Sequence, residues 1–372
     1  MPSHVTLLPG NASPWERLNA EVNDPFATLA GPFDGIRAAD LAPPPGFLPF
    51  LVWQYGLGEL SPYLPNLYDL ISEGIRWQRE RGTPASISRG LGWLGYTGQI
   101  EEAPTRRKRW NTFQLALGRV RDNDLPDLSR INGIVDLSPP QRSRFVRGFA
   151  GYDVRAAETS YKQFSMSMLS DSSGVRIEAG KAKWSFGRLY ERDVTVNQSE
   201  LTNLGTWIAP PSGQLGLWSA ETRLWVNVQE LWASLSAIDR FNVIADNLIA
   251  GQPWVRFVDA GGQTIGYART TVRKVGLSAN GEYPFGGSRY TTSTTTPAAV
   301  LITGTSGFGD GAGETATSVR LVFGGSVAPG LKPGRLWLPP GGLVGGTEVA
   351  PQTVNIPFGL TVRERVRYLL RF

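Results

Sequence analysis

Two stretches have residue types and spacing that could hold a ligand. "VLITGTSGFGDGAG" (300–313) is an apolar run followed by glycines. Gly307, Gly309 and Ala312 fit the G-x-G-x-x-A spacing of a strand-to-helix turn that cradles a pyrophosphate. The next residues, "ETATSVRLVF", are rich in Thr and Val rather than helix-forming, and no acid stands about 20 residues on to take a ribose hydroxyl. The stretch therefore reads as a flexible hairpin loop. "RDNDLPD" (121–127) gathers Asp122, Asp124 and Asp127, acids of the kind a calcium loop uses. Pro126 and the lack of a loop glycine and distal Glu break that pattern, leaving a solvated loop.

Composition removes most other chemistry. There is no cysteine, so thiolate nucleophiles, disulfides and Cys-held metals have no material. The one histidine is His4, which excludes a multi-His metal site and leaves a His-based triad almost nothing to build on. No Gly-Lys-Ser/Thr is present, so there is no phosphate-binding P-loop. Two carboxylates a few ångströms apart would serve a glycosidase, yet among 32 acids nothing selects a pair. The expectation is a chain with no catalytic residues, no metal and no cofactor.

A third stretch carries binding rather than reactive chemistry. "RWQRERGTPASISRGLGWLGY" (76–96) sets four Arg and two Trp around a Gly-Thr-Pro corner. Arg pairs with carboxylates through a flat fork and stacks on aromatics, so it is favoured at protein interfaces. The net charge of +5 is mild for 372 residues. Residues 1–103 lean acidic and 104–192 carry most of the Arg excess. The four bases "RRKR" (106–109) read as a solvated face or protein contact rather than a phosphate patch, and no nucleic acid is expected as a partner. The longest apolar run, "FLPFLVW" (47–53), is far below the roughly 20 residues a membrane span needs, and no signal peptide is visible.

The elements that must position these residues follow from local patterns. In "SPWERLNAEV", Ser13 is an N-cap, Pro14 a first helical residue and Glu16 completes a capping box, with Trp15, Leu18 and Val22 on one face. Asp24-Pro25 ends that helix, and residues 23–46, with many Pro and Gly, read as an extended connector. "FLPFLVWQYGL" (47–57) suits a short buried helix with Pro49 in its first turn. Between Leu64 and Arg81, Leu67, Leu70, Ile71, Gly74 and Ile75 form one helical stripe. Gly82 can take the left-handed conformation that ends a helix, and Thr83 and Pro84 suit the start of the next. That second helix runs to Leu94, with Ile87, Leu91 and Leu94 on one face.

Past residue 103 the period shortens. Alternation, as in Leu224, Val226 and Val228, predicts strands over 145–290. One helix is expected at 234–251, on Leu235, Ile238, Phe241, Ala245 and Leu248. The Gly-, Thr- and Pro-rich end reads as β-hairpins. "TVRERVRYLLRF" (361–372) reads as a terminal helix capped by Thr361, with a strand as the alternative. The fold expected is α+β and multidomain: an arm (1–22), a helical domain (23–103), a β-rich domain with one helix (104–290) and a C-terminal β region (291–372).

"LLPGNASPWERLNAE" (7–21), "FLPFLVWQYGLGE" (47–59) and "LISEGIRWQRERGTPASISRGLGWLGY" (70–96) together resemble the phage tail protein I family. That family is a baseplate wedge component of contractile-tailed phages and related injection particles. The basic pair that usually reads His-Arg-x-Lys is Gln78, Arg79, Glu80 and Arg81 here. The resemblance implies a helical N-terminal wedge domain and a structural, non-enzymatic role. It implies a virion protein of the tail baseplate, made and assembled in the host cytoplasm. The partners implied are a second, larger wedge protein, neighbouring baseplate proteins and tail fibre proteins. Trp77 and Trp93 would anchor the hairpin, and Arg76, Arg79, Arg81 and Arg89 would orient it and pair with partner carboxylates around Gly82, Thr83 and Pro84. The alternative is a carbohydrate-binding or depolymerising tail module, suggested by the 12 Trp and the β-rich C-terminal half.

Overall fold

The computed structural model describes residues 8–38, 43–102, 110–152, 173–197, 200, 232–294, 297–332 and 334–371. The chain divides into two compact units between Arg81 and Gly82. The architecture is α+β, with helices first and a large mixed sheet after them. The basic run 106–109, His4 and the alternating Leu224, Val226 and Val228 lie outside the described residues, as do the side chains of Leu235 and Ile238.

The first unit holds α1 (Pro14–Val22), α2 (Phe26–Ala38), α3 (Leu48–Gln54) and α4 (Leu67–Glu80). The capping box of α1 is complete: Glu16 N–H reaches Ser13 Oγ at 3.3 Å, and Ser13 N–H reaches Glu16 Oε2 at 2.7 Å. Helix α2 corrects the expected extended connector. Pro25, read as a stop, lies at a start: its carbonyl accepts from Thr28 and Leu29 N–H in the first turn. Pro32 is accommodated inside α2, at the loss of one backbone bond. Helix α3 packs on α4, and Leu57 is fully buried because Gly74 has no side chain; a Cβ there would stand 2.8 Å from Leu57 Cδ2.

The second unit opens with α5 (Pro84–Trp93), β1 (Gly98–Glu102), β2 (Thr112–Leu117), α6 (Asp127–Leu137) and β3 (Arg144–Gly151). Alternation in β2 turns Phe113, Leu115 and Leu117 inward. Strands β2 and β3 are parallel, with α6 in the connection between them. Helix α5 packs on α6, and its buried residues include the predicted Ile87 and Leu91.

Next come β4 (Lys183–Thr195), α7 (Trp232–Gly251), β5 (Trp254–Val258), β6 (Thr264–Leu277), β7 (Tyr283–Phe285) and β8 (Ser288–Thr292). The chain ends with β9 (Ala299–Thr305), β10 (Thr315–Phe323), β11 (Ser326–Val327), β12 (Trp337–Leu338), β13 (Leu343–Val344), β14 (Thr347–Pro357) and β15 (Val362–Arg371). The main sheet runs β1-β2-β3-β4-β15-β9-β6-β5-β10-β14. Strands from 104–290 and 291–372, read as separate regions in sequence, thus alternate within one sheet. Helix α7 matches the predicted one, and its Ile244, Ala245 and Leu248 enter the main core with Val300, Ile302, Val366 and Leu370.

Two expectations fail at the C-terminal end. Among the described residues no two consecutive strands from β9 to β15 pair with each other, so the hairpin reading is corrected. Turn residues specify a reversal but not which strand lies alongside. The segment 361–372 is not a capped helix but β15, a central strand parallel to β4 and antiparallel to β9. Its period is two, not 3.6. Val362, Glu364, Val366, Tyr368 and Leu370 share one face, while Arg363, Arg365, Arg367 and Arg371 share the other. On that second face Arg365 lies 3.8 Å from the Tyr152 ring centre and Arg367 lies 5.5 Å from Tyr283.

Among the described residues, no strand pairs with the edge of β14 away from β10. The Thr353 and Asn355 carbonyls of β14 accept from Arg192 Nη2 at 3.2 Å and Tyr190 Oη at 3.4 Å, and Arg188 donates to the Pro357 carbonyl. Alternate side chains of β4 thereby satisfy backbone acceptors that a neighbouring strand would otherwise take.

Glu364 is fully buried, with Arg188 Nη2 2.6 Å away. Burial pushes its carboxyl from 4.5 up to about 7, against the pull of Arg188 and Arg121. Between those values the folded protein holds a proton that the unfolded chain has released. Stability from this group is therefore greatest below pH 4.5 and falls as pH rises to about 7, by about 3 kcal/mol in all. Glu364→Gln removes that slope. The urea midpoint of the wild type should fall relative to E364Q between about pH 5 and pH 7.5; a constant difference contradicts the assignment. A second test concerns packing. A Cβ on Gly148 would stand 2.2 Å from Cζ3 of the buried Trp184 ring. Gly148→Ala should cost about 1–3 kcal/mol in chemical denaturation, and a neutral result rejects the close approach of β3 to that ring.

Candidate docking site

The residues expected to meet a partner divide between the two units. In the first unit, Asn66 caps α4 by accepting from Tyr68 N–H at 3.1 Å. The helix buries Leu70, Gly74 and Trp77. Trp77 is 3% exposed, and the Arg81 guanidinium lies 5.3 Å from its ring centre. Its expected role as an exposed anchor is corrected: the ring has no free face to offer. The stripe drawn from Leu67 to Ile75 left Trp77 out, although it falls three residues past Gly74 on the same helical face. Arg79 and Arg81 are exposed, and Arg76 pairs with Glu73 at 3.0 Å.

In the second unit, Gly82 has φ +89°, the left-handed region that favours glycine. Its N–H donates to the Ser138 carbonyl at 2.8 Å. Thr83 holds the N-cap position with extended backbone but makes no side-chain cap bond, and Pro84 opens α5 as expected. Ser86, buried beneath the turn, donates to the Thr83 carbonyl at 2.8 Å. Thr83 and Pro84 are exposed, and Arg89 and Trp93 are half-buried.

The acids of "RDNDLPD" do structural work. Asp122 pairs with Arg119 at 2.7 Å, and Asp127 accepts from Tyr96 Oη at 3.1 Å. Asp124 lies 2.7 Å from Arg121, accepts from Leu360 N–H at 2.8 Å and takes the Thr361 hydroxyl. Asp124 is thus a half-buried tie to the C-terminal strand, not a solvated loop residue. The glycine-rich stretch 306–313 runs from β9 to β10, which do not pair, so it is neither a hairpin loop nor a strand-to-helix turn.

The exposed surface of the first unit holds what the sequence reading underweighted. The predicted face of α1 is present but uncovered: Trp15, Leu18 and Val22 are 70%, 61% and 75% exposed. On α3, Leu48, Leu51 and Val52 are buried, whereas Phe50 and Trp53 are 64% and 84% exposed. Reading α3 as wholly buried missed these two because an apolar run this short has no polar face to set its orientation.

Replacing Gly82 tests the turn. A β-branched side chain at φ +89° is strained, and the bond to Ser138 depends on that backbone. Gly82→Val should lower the denaturation midpoint by the equivalent of about 1–3 kcal/mol, with Gly82→Ala less affected. An unchanged midpoint for G82V rejects the strain.

No curated protein matches the chain. Residues 8–142 match the family model described as phage tail protein (Tail_P2_I), the family that the N-terminal motifs resemble, and the match points to a structural role in a phage tail.

Proposed function

We propose that the chain is a non-enzymatic baseplate wedge protein, docking a second, larger wedge protein through the apolar faces of α1 and α3. One observation carries the reading. Helix α1 has a complete capping box and places Trp15, Leu18 and Val22 together, yet it buries no residue. An amphipathic helix of nine residues is marginal alone in water and gains most of its stability from packing. A partner helix supplies that packing, and helix-in-groove docking reads the spacings of three and four residues. Trp53 and Phe50 extend the apolar surface available in the same unit, and Arg79 and Arg81 supply charge for partner carboxylates. Neighbouring baseplate or fibre proteins are then the contacts of the second unit.

The test is co-expression with a candidate larger wedge protein. Wild-type chain should co-purify as a heteromeric complex. Trp15→Glu combined with Leu18→Glu should weaken it by at least about a hundredfold, because two anchors lose about 1.5–3 kcal/mol each. The denaturation profile of the isolated chain should stay the same, since neither residue is buried. A strictly monomeric wild type, or a complex indifferent to the double substitution, removes the reading.

A further inference from the structure

The two edges of the main sheet differ. At β14, side chains of β4 reach the outward carbonyls. At β1, among the described residues, β2 is the only strand alongside and no side chain covers the other edge. The register shows which backbone groups this leaves. Gly118 N–H donates to the Thr97 carbonyl at 2.8 Å, so these two residues form a bonded pair. In an antiparallel ladder bonded pairs recur at every second residue. Gln99 with Ala116 and Glu101 with Gln114 are therefore the next bonded pairs. Gly98, Ile100 and Glu102 turn their N–H and C=O groups away from β2, and among the described residues those groups have no partner. Strand β1 carries no Pro, and its pairing with β2 has no bulge. Of the usual devices that close an edge to further pairing, only charge is present.

The side chains select what can lie there. Gly98 and Ile100 stand opposite Leu117 and Leu115, on the face that β2 turns inward. Helix α5 packs on that face: Leu91 Cδ1 lies 3.1 Å from where a Cβ of Gly98 would stand. Gln99 and Glu101 take the opposite face, where Glu101 accepts from Gln114 Nε2 at 2.8 Å. Glu102 is exposed at the end of the strand. Strand β1 thus offers two carboxylates and no cation. A strand laid beside it continues the apolar face with a residue next to Ile100, and meets Glu101 with a basic residue on the other face. An acidic strand is repelled.

We propose that the outer edge of β1 takes up an extended segment of a partner protein as an added strand, one that alternates basic and apolar residues. The edge belongs to the second unit, so the inference stands or falls apart from docking by α1 and α3. The test titrates the full chain with the peptide Thr-Lys-Val-Lys-Val-Lys-Thr, followed by fluorescence anisotropy. The same peptide with Glu in place of Lys is run in parallel. Two further forms carry methyl groups on the backbone nitrogens of the valines or of the lysines. The lysine peptide should bind and the glutamate peptide should not. One methylated form should bind at least about tenfold more weakly and the other unchanged, because only alternate residues of an added strand face β1. Glu102→Pro removes an outward donor and no bond to β2, so it should weaken binding about fivefold without shifting the denaturation midpoint. No binding of the lysine peptide overturns the proposal. So does equal binding of the glutamate peptide, an equal effect of the two methylations, or binding indifferent to Glu102→Pro.

Discussion

The pairing of β15 with β4 on one side and β9 on the other holds the second unit together. Ten residues at the very end of the sequence form the seam between a parallel half-sheet, β2 to β4, and an antiparallel one, β9 to β14. A strand so placed has both edges committed and both faces covered or charged. One face gives Val366, Tyr368 and Leu370 to the main core. Glu364, on that same face, is deep enough to need a cation, and Arg188 comes from the neighbouring strand to meet it. A buried pair of this kind adds little net stability over an apolar pair, but above about pH 7, where the carboxyl is ionised, losing Arg188 leaves an uncompensated charge costing about 3–5 kcal/mol. Its effect is to penalise slipped pairings of β15 on β4, since a slip of two residues would separate the charges.

The same strand, β4, also closes the sheet at its far end. Arg188, Tyr190 and Arg192 are spaced two apart and therefore lie on one face. They reach the alternate carbonyls of Pro357, Asn355 and Thr353 on β14. Period-two side chains match period-two carbonyls, so β4 supplies donors to the last strand at those positions. Arg188 joins the two constraints, because its guanidinium touches both the Glu364 carboxylate and the Pro357 carbonyl. Arg121 adds a third tie, from the loop before α6 to Thr361 at the head of β15.

What was legible in the amino-acid order follows from the range of the interactions. Ser13, Gly82, Pro84 and the stripe on α5 act within one helical turn, and each stands where local chemistry places it. Pro25 shows the limit of that rule, since the same residue suits a stop and a start and only the following turn decides. Residues 361–372 show it more sharply. Val362, Val366, Leu369 and Leu370 satisfy a helical spacing, while the arginines at 363, 365 and 367 satisfy a strand's. Helix propensity depends on neighbours four residues away, whereas a strand here depends on β4, about 175 residues distant in sequence. Sheet order is set by such distant pairings, so the turn-rich last eighty residues could show that strands exist but not which ones meet. The acids of "RDNDLPD" follow the same logic, because the partner that gives Asp124 its role is Thr361.

The family match ends at residue 142, before β3 begins at Arg144. Strands β1 and β2 and helices α5 and α6 lie inside the matched span, yet β2 completes its pairing only with β3, and β3 only with β4. The matched segment is therefore not a closed unit. Its single parallel edge, on β2, requires a strand from outside the match, and α6 is the crossover that delivers it. The matched span and the strands that follow it are consequently joined by backbone hydrogen bonds. Hydrogen-bonded pairing runs without a break from β2 through β3 and β4 into β15, whose inward face enters the core of the C-terminal strands.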